Sequence, residues 1–237
     1  MKKKAVCLLS GGLDSSVTAF LAKKQGYDVY ALSFQYGQRH TKELACARQI
    51  AKAVGAKEHF VLDVPLDTFG GSALLASSTQ KIKGHPVDKI GDTIPSTYVP
   101  ARNTVFLALA LAYAETLDAD AIFLGANAVD YSGYPDCRPE YIAAFQKLAA
   151  LATKTGVQRK TIRIVAPLLR LSKAEIVKTG VKFKVPFEKT WSCYRGGTKA
   201  CGNCDSCLLR LKGFQEAGIK DPVEYTTVPA WYSIASS

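Results

Sequence analysis

Three groups of residues in this sequence could do chemistry. Near the N-terminus, Ser10-Gly11-Gly12-Leu13-Asp14-Ser15-Ser16 combines two adjacent glycines with three hydroxyls and one carboxylate. Paired glycines let backbone amides approach an anion closely, and successive N–H groups at a helix start offer positive partial charge. The loop lacks the Gly-Lys-Ser/Thr ending of a Walker P-loop and the G-x-G-x-x-G of a dinucleotide fold, so it belongs to neither scheme. A carboxylate facing phosphates repels them unless Mg²⁺ lies between. Asp14 is therefore either a Mg²⁺-linked ligand or a first-turn helix residue.

The second group is Ser172-Lys173-Ala174-Glu175, in which Ser at an N-cap and Glu three residues on form a capping box. The box explains Ser172 and Glu175 without a ligand. Lys173 is left over: it is either an exposed helix lysine or a cation placed against phosphate charge. The third group is Cys193-x7-Cys201-x2-Cys204-x2-Cys207. Four thiolates suit a closed, structural Zn²⁺ site with no position for water, and an iron–sulfur cluster is the rival.

Positioning these groups requires regular elements. Residues 5–9, 28–34, 59–63, 121–124 and 161–165 read as strands. Helical patterns lie between or after them at 15–24, 42–54, 104–116, 139–155 and 173–179, and a short helix spans 208–217. Such alternation predicts an α/β fold, a Rossmann-like five-stranded parallel sheet with helices on both faces. The phosphate loop then falls at the end of the first strand, where open α/β sheets bind ligands. Glycine, serine and proline break the pattern over 65–99, which reads as a long excursion carrying a lid or interface segment. The expected division is 1–187 for the α/β domain that carries the phosphate loop and 188–237 for a zinc-binding segment with a C-terminal helix packed on it.

A length of 237 residues with 48% hydrophobic and 22% charged residues supports a full core and excludes extensive disorder. The net charge of +11 favours anionic ligands, but the basic residues are scattered, with Lys2-Lys3-Lys4 the one dense run. The apolar run after those lysines ends at Ser10 and is too short for a signal peptide, and no stretch approaches the roughly 20 residues of a bilayer span. Seven cysteines, four of them crowded into fifteen positions, suit a reducing compartment better than a disulfide framework. A soluble, cytoplasmic protein with no membrane partner is expected.

Ser-Gly-Gly-x-Asp-Ser directly after the first strand resembles the signature of the PP-loop ATP pyrophosphatases, enzymes that split ATP between the α and β phosphates to adenylate an oxygen. Pro167-Leu168-Leu169-x-Leu171-Ser172-Lys173-x-Glu175 resembles a second element of that superfamily, whose lysine approaches the triphosphate. Further segments narrow the resemblance: Ser33-Phe34-Gln35-Tyr36-Gly37-Gln38-Arg39-His40, Tyr98-x-Pro-Ala-Arg102-Asn103, the run from Asn127 through Asp130-Tyr131-Ser132-Gly133-Tyr134-Pro135-Asp136-Cys137-Arg138, and Trp191-Ser192-Cys193-Tyr194. In order and across nearly the whole chain these are similar to the QueC family of queuosine biosynthesis. The segment 130–138 is the most specific, and the excursion and the residues after 217 carry little of the likeness.

The resemblance implies an adenine nucleotide α-hydrolase-type fold and conversion of 7-carboxy-7-deazaguanine and ammonia to a nitrile through adenylated intermediates, with ATP and Mg²⁺. It implies ATP contacts from Leu9, Ser10, Gly11, Gly12, Leu13, Asp14, Ser15, Ser16 and Phe34, with Asp14 and Lys173 catalytic. Arg102, Asp130, Tyr131, Ser132, Tyr134 and Asp136 would contact the substrate: tyrosines flank a planar ring, carboxylates accept from its N–H groups, and the Arg102 fork suits a carboxylate or a phosphate. One structural zinc on the four cysteines and a homodimer complete the expectation. No glutaminase segment is evident, so ammonia is free or delivered. Cys137 reads as packing, and no nucleic acid is required. Two alternatives remain at this point: a PP-loop sulfur-transfer enzyme acting on tRNA, and a zinc-ribbon nucleic-acid-binding module that would leave the phosphate loop and Lys173 without purpose.

Overall fold

The computed structural model describes residues 2–82, 84–127, 133–158 and 160–233. Five parallel strands, β1 (Lys4–Leu8), β2 (Asp28–Gln35), β3 (Glu58–Asp63), β4 (Ala121–Phe123) and β5 (Arg163–Val165), form one sheet in the order β3-β2-β1-β4-β5. The sheet winds outward from β1 in both directions, so its topological switch point lies between β1 and β4, where ligands bind in such sheets.

Period-2 alternation assigns the two faces. Ala5, Cys7, Val29, Ala31 and Phe123 point to one side, where they pack on α1 (Leu13–Lys24) and α2 (Lys42–Val54) through Ala19, Ala22, Ala47 and Ile50. Val6, Leu32 and Ile122 point to the other, against α3 (Arg102–Thr116) and α4 (Pro139–Ala152) through Leu107, Leu111, Ile142 and Phe145. Alanine dominates the first face because backbone elements meet closely there. Larger side chains fill the second.

The predicted helix over 139–155 is interrupted. Thr153 Oγ1 donates to Ala149 O at 2.7 Å and accepts from Gly156 N at 3.0 Å, ending α4 and starting the short α5 (Lys154–Val157). Two helices complete the chain, α6 (Lys173–Lys182) and α7 (Asp205–Ala217). α7 begins three residues before its expected start, because Cys204 is its N-cap and Cys207 lies in its first turn. Phe214 of α7 joins Leu13 and Val17 of α1 and Ile176 and Val177 of α6 in one buried cluster. The cysteine-bearing helix thus shares a core with the helix that follows the phosphate loop. Among the described residues, no helix is long and apolar enough to cross a membrane.

Candidate active site

The phosphate loop turns between β1 and α1 on Gly11, whose φ of +83° lies in the left-handed region. A Cβ there would also sit 2.2 Å from Glu43 O and 2.5 Å from Ala47 N, so this glycine lets the loop lie directly on α2. Hydroxyls hold the loop's shape. Ser10 and Ser15 Oγ atoms are 2.9 Å apart, Gly12 N donates to Ser10 Oγ at 3.2 Å, and Ser16 Oγ donates to Gly12 O at 2.7 Å. From the other end of the chain, Trp191 N donates to Gly11 O at 2.9 Å. Gly125, just beyond β4, closes the switch point: a Cβ there would lie 2.9 Å from Ser15 N.

Asp14 is in the first turn of α1, yet no side chain caps that helix start. Its Oδ2 instead accepts a 2.6 Å charge-assisted bond from Lys173 Nζ, and its Oδ1 is buried with no partner. An orphaned carboxylate oxygen beside an anion loop fits a hard cation such as Mg²⁺, which takes few protein carboxylates and completes its shell with phosphate and water. The capping box forms as the sequence predicts, with Ser172 N donating to Glu175 Oε2 at 2.8 Å and Glu175 N to Ser172 Oγ at 3.3 Å. The box starts the helix, and Lys173, its first residue, reaches Asp14 at the loop. Gly213 of α7 makes this possible, since a Cβ there would meet Lys173 Cβ at 2.7 Å.

One cavity of about 280 Å³, near the lower limit of the roughly 300–1,000 Å³ usual for ligand sites, opens over the loop. Leu9 and Leu13 line it although both are buried members of the core clusters, and Ser10, Gly12, Asp14, Ser15, Phe34, Arg102, Tyr134 and Lys173 line it as well. Phe34 stacks on Phe106 at 3.9 Å, which fixes an aromatic wall at the end of β2. Arg102, the first residue of α3, lies over the Tyr36 ring at 5.7 Å. Tyr134 is held near Tyr98, ring centroids 6.0 Å apart, with its hydroxyl 3.3 Å from Thr97 Oγ1.

Asp136 takes a different place from the one its motif suggests. It is buried at 5% exposure and accepts from Asn103 N at 2.9 Å, capping α3 from outside that helix. The N-cap residue itself, Ala101, has a φ of +51° and offers no side-chain oxygen, so α3 depends on this remote carboxylate. Cys137 is buried in the core, and Asn103 Nδ2 approaches its sulfur at 3.0 Å. Asp130, Tyr131 and Ser132 lie outside the described residues.

Sequence reasoning assigned no role to Glu43, His40 or Ser192, which also line the cavity. Burial pushes the Glu43 carboxyl up to about 7, against the pull of the Arg102 guanidinium and with the help of nearby Cys193. Burial likewise holds the His40 imidazole below its usual range, and its Nδ1 is buried without a partner. An acid in the first turn of a helix is ordinary, so nothing in the sequence marked Glu43 out.

The four cysteine sulfurs of Cys193, Cys201, Cys204 and Cys207 all lie within 4.8 Å of one another. A tetrahedral ion with metal–sulfur bonds of about 2.3 Å needs sulfurs about 3.8 Å apart, and Cys201 and Cys207 are 3.9 Å apart. Arg195 N and Cys201 N both point at Cys193 Sγ, at 3.4 and 3.3 Å, as they would toward a thiolate. The set can hold a metal ion. Lys42 staples this corner to α2, donating to Gly197 O at 2.6 Å and Thr198 O at 2.8 Å while lying 3.4 Å from the Trp191 ring centroid.

A doubly wound parallel sheet with a glycine-rich loop, a carboxylate–lysine pair and an aromatic-walled cavity at its switch point defines an α/β protein with the adenine nucleotide α-hydrolase type of fold. A family model described as "Queuosine biosynthesis protein QueC" matches residues 4–218, and the chain belongs to that family. Its relatives include the 7-cyano-7-deazaguanine synthase of Thermoplasma acidophilum, 53% identical over 98% of this chain and 95% of the relative. The enzyme of the same name from Acetivibrio thermocellus is 56% identical over 94% and 98%. Among solved structures, an NMN synthetase from Francisella tularensis superposes with a TM-score of 0.50 at 18% identity, over 92% of this chain and 79% of that one, a likeness of fold.

Proposed function

We propose that this chain converts 7-carboxy-7-deazaguanine and ammonia to 7-cyano-7-deazaguanine, consuming two ATP, as a homodimeric cytoplasmic enzyme. The observation that carries the proposal is the meeting of the phosphate loop, Asp14, Lys173 and Arg102 in one cavity, in a chain more than half identical to synthases of that name. Amides of the loop and the start of α1 would bind the pyrophosphate, with Phe34 beside adenine. Mg²⁺ held through the free Asp14 oxygen would neutralise phosphate charge. Lys173 would turn from Asp14 toward the leaving pyrophosphate as its charge grows.

Arg102 would orient the substrate carboxylate in line with the α-phosphate, and Tyr134, with Asp130, Tyr131 and Ser132 nearby in sequence, would hold the planar ring. Asp136 then contributes by shaping the start of α3. Once the carboxylate is adenylated, ammonia displaces AMP and leaves an amide. A second adenylation at the amide oxygen and loss of AMP give the nitrile. Neither round needs a protein nucleophile, in keeping with the buried Cys137. The four cysteines would carry one Zn²⁺ that locks the start of α7 behind Lys173.

Incubation with ATP, Mg²⁺, ammonium and 7-carboxy-7-deazaguanine, with no RNA present, should yield the nitrile by mass. Product formation only when tRNA is added, with the modification on the RNA, would replace this reading with the sulfur-transfer alternative.

A further inference from the structure

Two acids line the cavity, Asp14 and Glu43. Lys173 engages Asp14. Among the described residues no cation lies within ion-pair distance of Glu43, although Arg102 acts on it electrostatically from α3. The other titratable groups that feel it are Cys193 of the cysteine loop, Tyr36 just beyond β2 and Cys46 one turn further along α2. Its neighbour Lys42 is committed to two carbonyls and the Trp191 ring. The backbone of Glu43 also lies directly against the phosphate loop, because its carbonyl oxygen is what a Cβ on Gly11 would strike.

A negative side chain beside a loop that gathers phosphates needs a positive companion when ligands arrive. The activity proposed above, on which this inference rests, brings one. Ammonia enters as ammonium near neutral pH and must lose a proton before it can attack. We infer that Glu43 binds ammonium in the cavity and accepts its proton, delivering ammonia to the activated carbon.

The proton count supports a base at this position. Ammonium gives one proton to Glu43, and the nitrogen lone pair forms the C–N bond. A second N–H proton leaves as the C–O bond breaks and AMP departs with the oxygen and the bonding pair. In the dehydration round, the amide oxygen bonds to the α-phosphorus as pyrophosphate leaves and nitrogen sheds one proton. The last N–H proton goes as the second AMP departs and the triple bond forms. Every proton is lost from the same nitrogen, so one carboxylate that relays protons to solvent serves both rounds.

The test separates nitrogen capture from oxygen activation. In Glu43→Gln, exchange of labelled pyrophosphate into ATP, dependent on the acid and run without ammonium, should stay within about threefold of the unsubstituted protein, which also shows the variant folds. Amide and nitrile formation should fall by about 10²-fold or more, with a raised KM for ammonium. Hydroxylamine, a nucleophile largely uncharged near neutral pH, should restore capture as the hydroxamate, and Glu43→Asp should keep part of the ammonium rate. Loss of exchange in step with nitrile formation, or a raised KM for the acid with that for ammonium unchanged, would overturn the inference and make Glu43 a reader of the ring edge. If the unsubstituted protein shows no exchange dependent on the acid, the proposed activity itself fails and this role with it.

Discussion

Two ion pairs in this molecule have almost the same length and opposite meanings. Lys173 and Asp14 meet at 2.6 Å at the cavity, with side chains 14% and 24% exposed and one carboxylate oxygen left without a partner. Arg210 and Asp221 meet at 2.7 Å, 3% and 1% exposed, in a bidentate pair. Every polar atom of that second pair has work: Asp221 also accepts from Tyr225 and Val223 N, and Arg210 donates to Thr190 Oγ1 and Phe187 O. Distance does not separate a structural pair from a functional one; completeness does. A saturated network holds the residues after α7 onto the molecule. On the function proposed here, the unsaturated one would take up a metal ion and phosphate.

Substitutions at the two pairs and at the cysteine corner should therefore act differently on stability and on turnover. The largest effect should come from the cysteine corner, where a structural metal site can contribute roughly 10 kcal/mol or more. Cys204→Ser, or a strong chelator, should unfold the start of α7 and abolish activity, and metal analysis of the untreated protein should find one zinc per chain. Stoichiometric iron with visible absorbance would overturn the zinc assignment. Next is Asp221→Ala, which strands a buried guanidinium and should cost about 3–5 kcal/mol in denaturant unfolding. Asp14→Asn and Lys173→Ala should do the reverse, lowering kcat by about 10²–10³ while Tm stays within a few degrees. If either variant lost stability like Asp221→Ala and kept its turnover, the contrast between the pairs would collapse.

A smaller effect tests the capping box. Ser172→Ala should cost about 1 kcal/mol and lower kcat modestly through the lysine it positions. The hydrogen bonds from Ser172 hold the Glu175 carboxyl below its usual range. A depressed folded pKa gives stability that is present above the unfolded value and lost as pH falls through the folded one. The stability difference between Ser172→Ala and the unsubstituted protein should therefore shrink on acidification into that window.

How much of this was legible in the sequence depends on whether the cause was local. α2 is local, an amphipathic run ended by Gly55 in the left-handed region, and its predicted span of 42–54 matches Lys42–Val54. The capping box and the phosphate loop are equally local. Where a distant residue decides, periodicity is silent. α3 starts at Arg102 rather than near 104 because Asp136 caps it from 33 residues away. α7 starts at Asp205 because the cysteine loop supplies its N-cap. The same limit applies at the site. Asp14 and Lys173 are marked by motifs, but their 2.6 Å contact depends on the absent side chain of Gly213, and Glu43 becomes visible only when the cavity is assembled.

If this cavity activates oxygen by adenylation, each oxygen of the substrate carboxylate leaves on AMP, where an isotope can follow it. 7-Carboxy-7-deazaguanine labelled with ¹⁸O in its carboxylate should be turned over with ATP and ammonium and the nucleotide products weighed. Adenylation predicts two AMP for each nitrile, each carrying one ¹⁸O, and unlabelled pyrophosphate. ADP with the label in inorganic phosphate would contradict it.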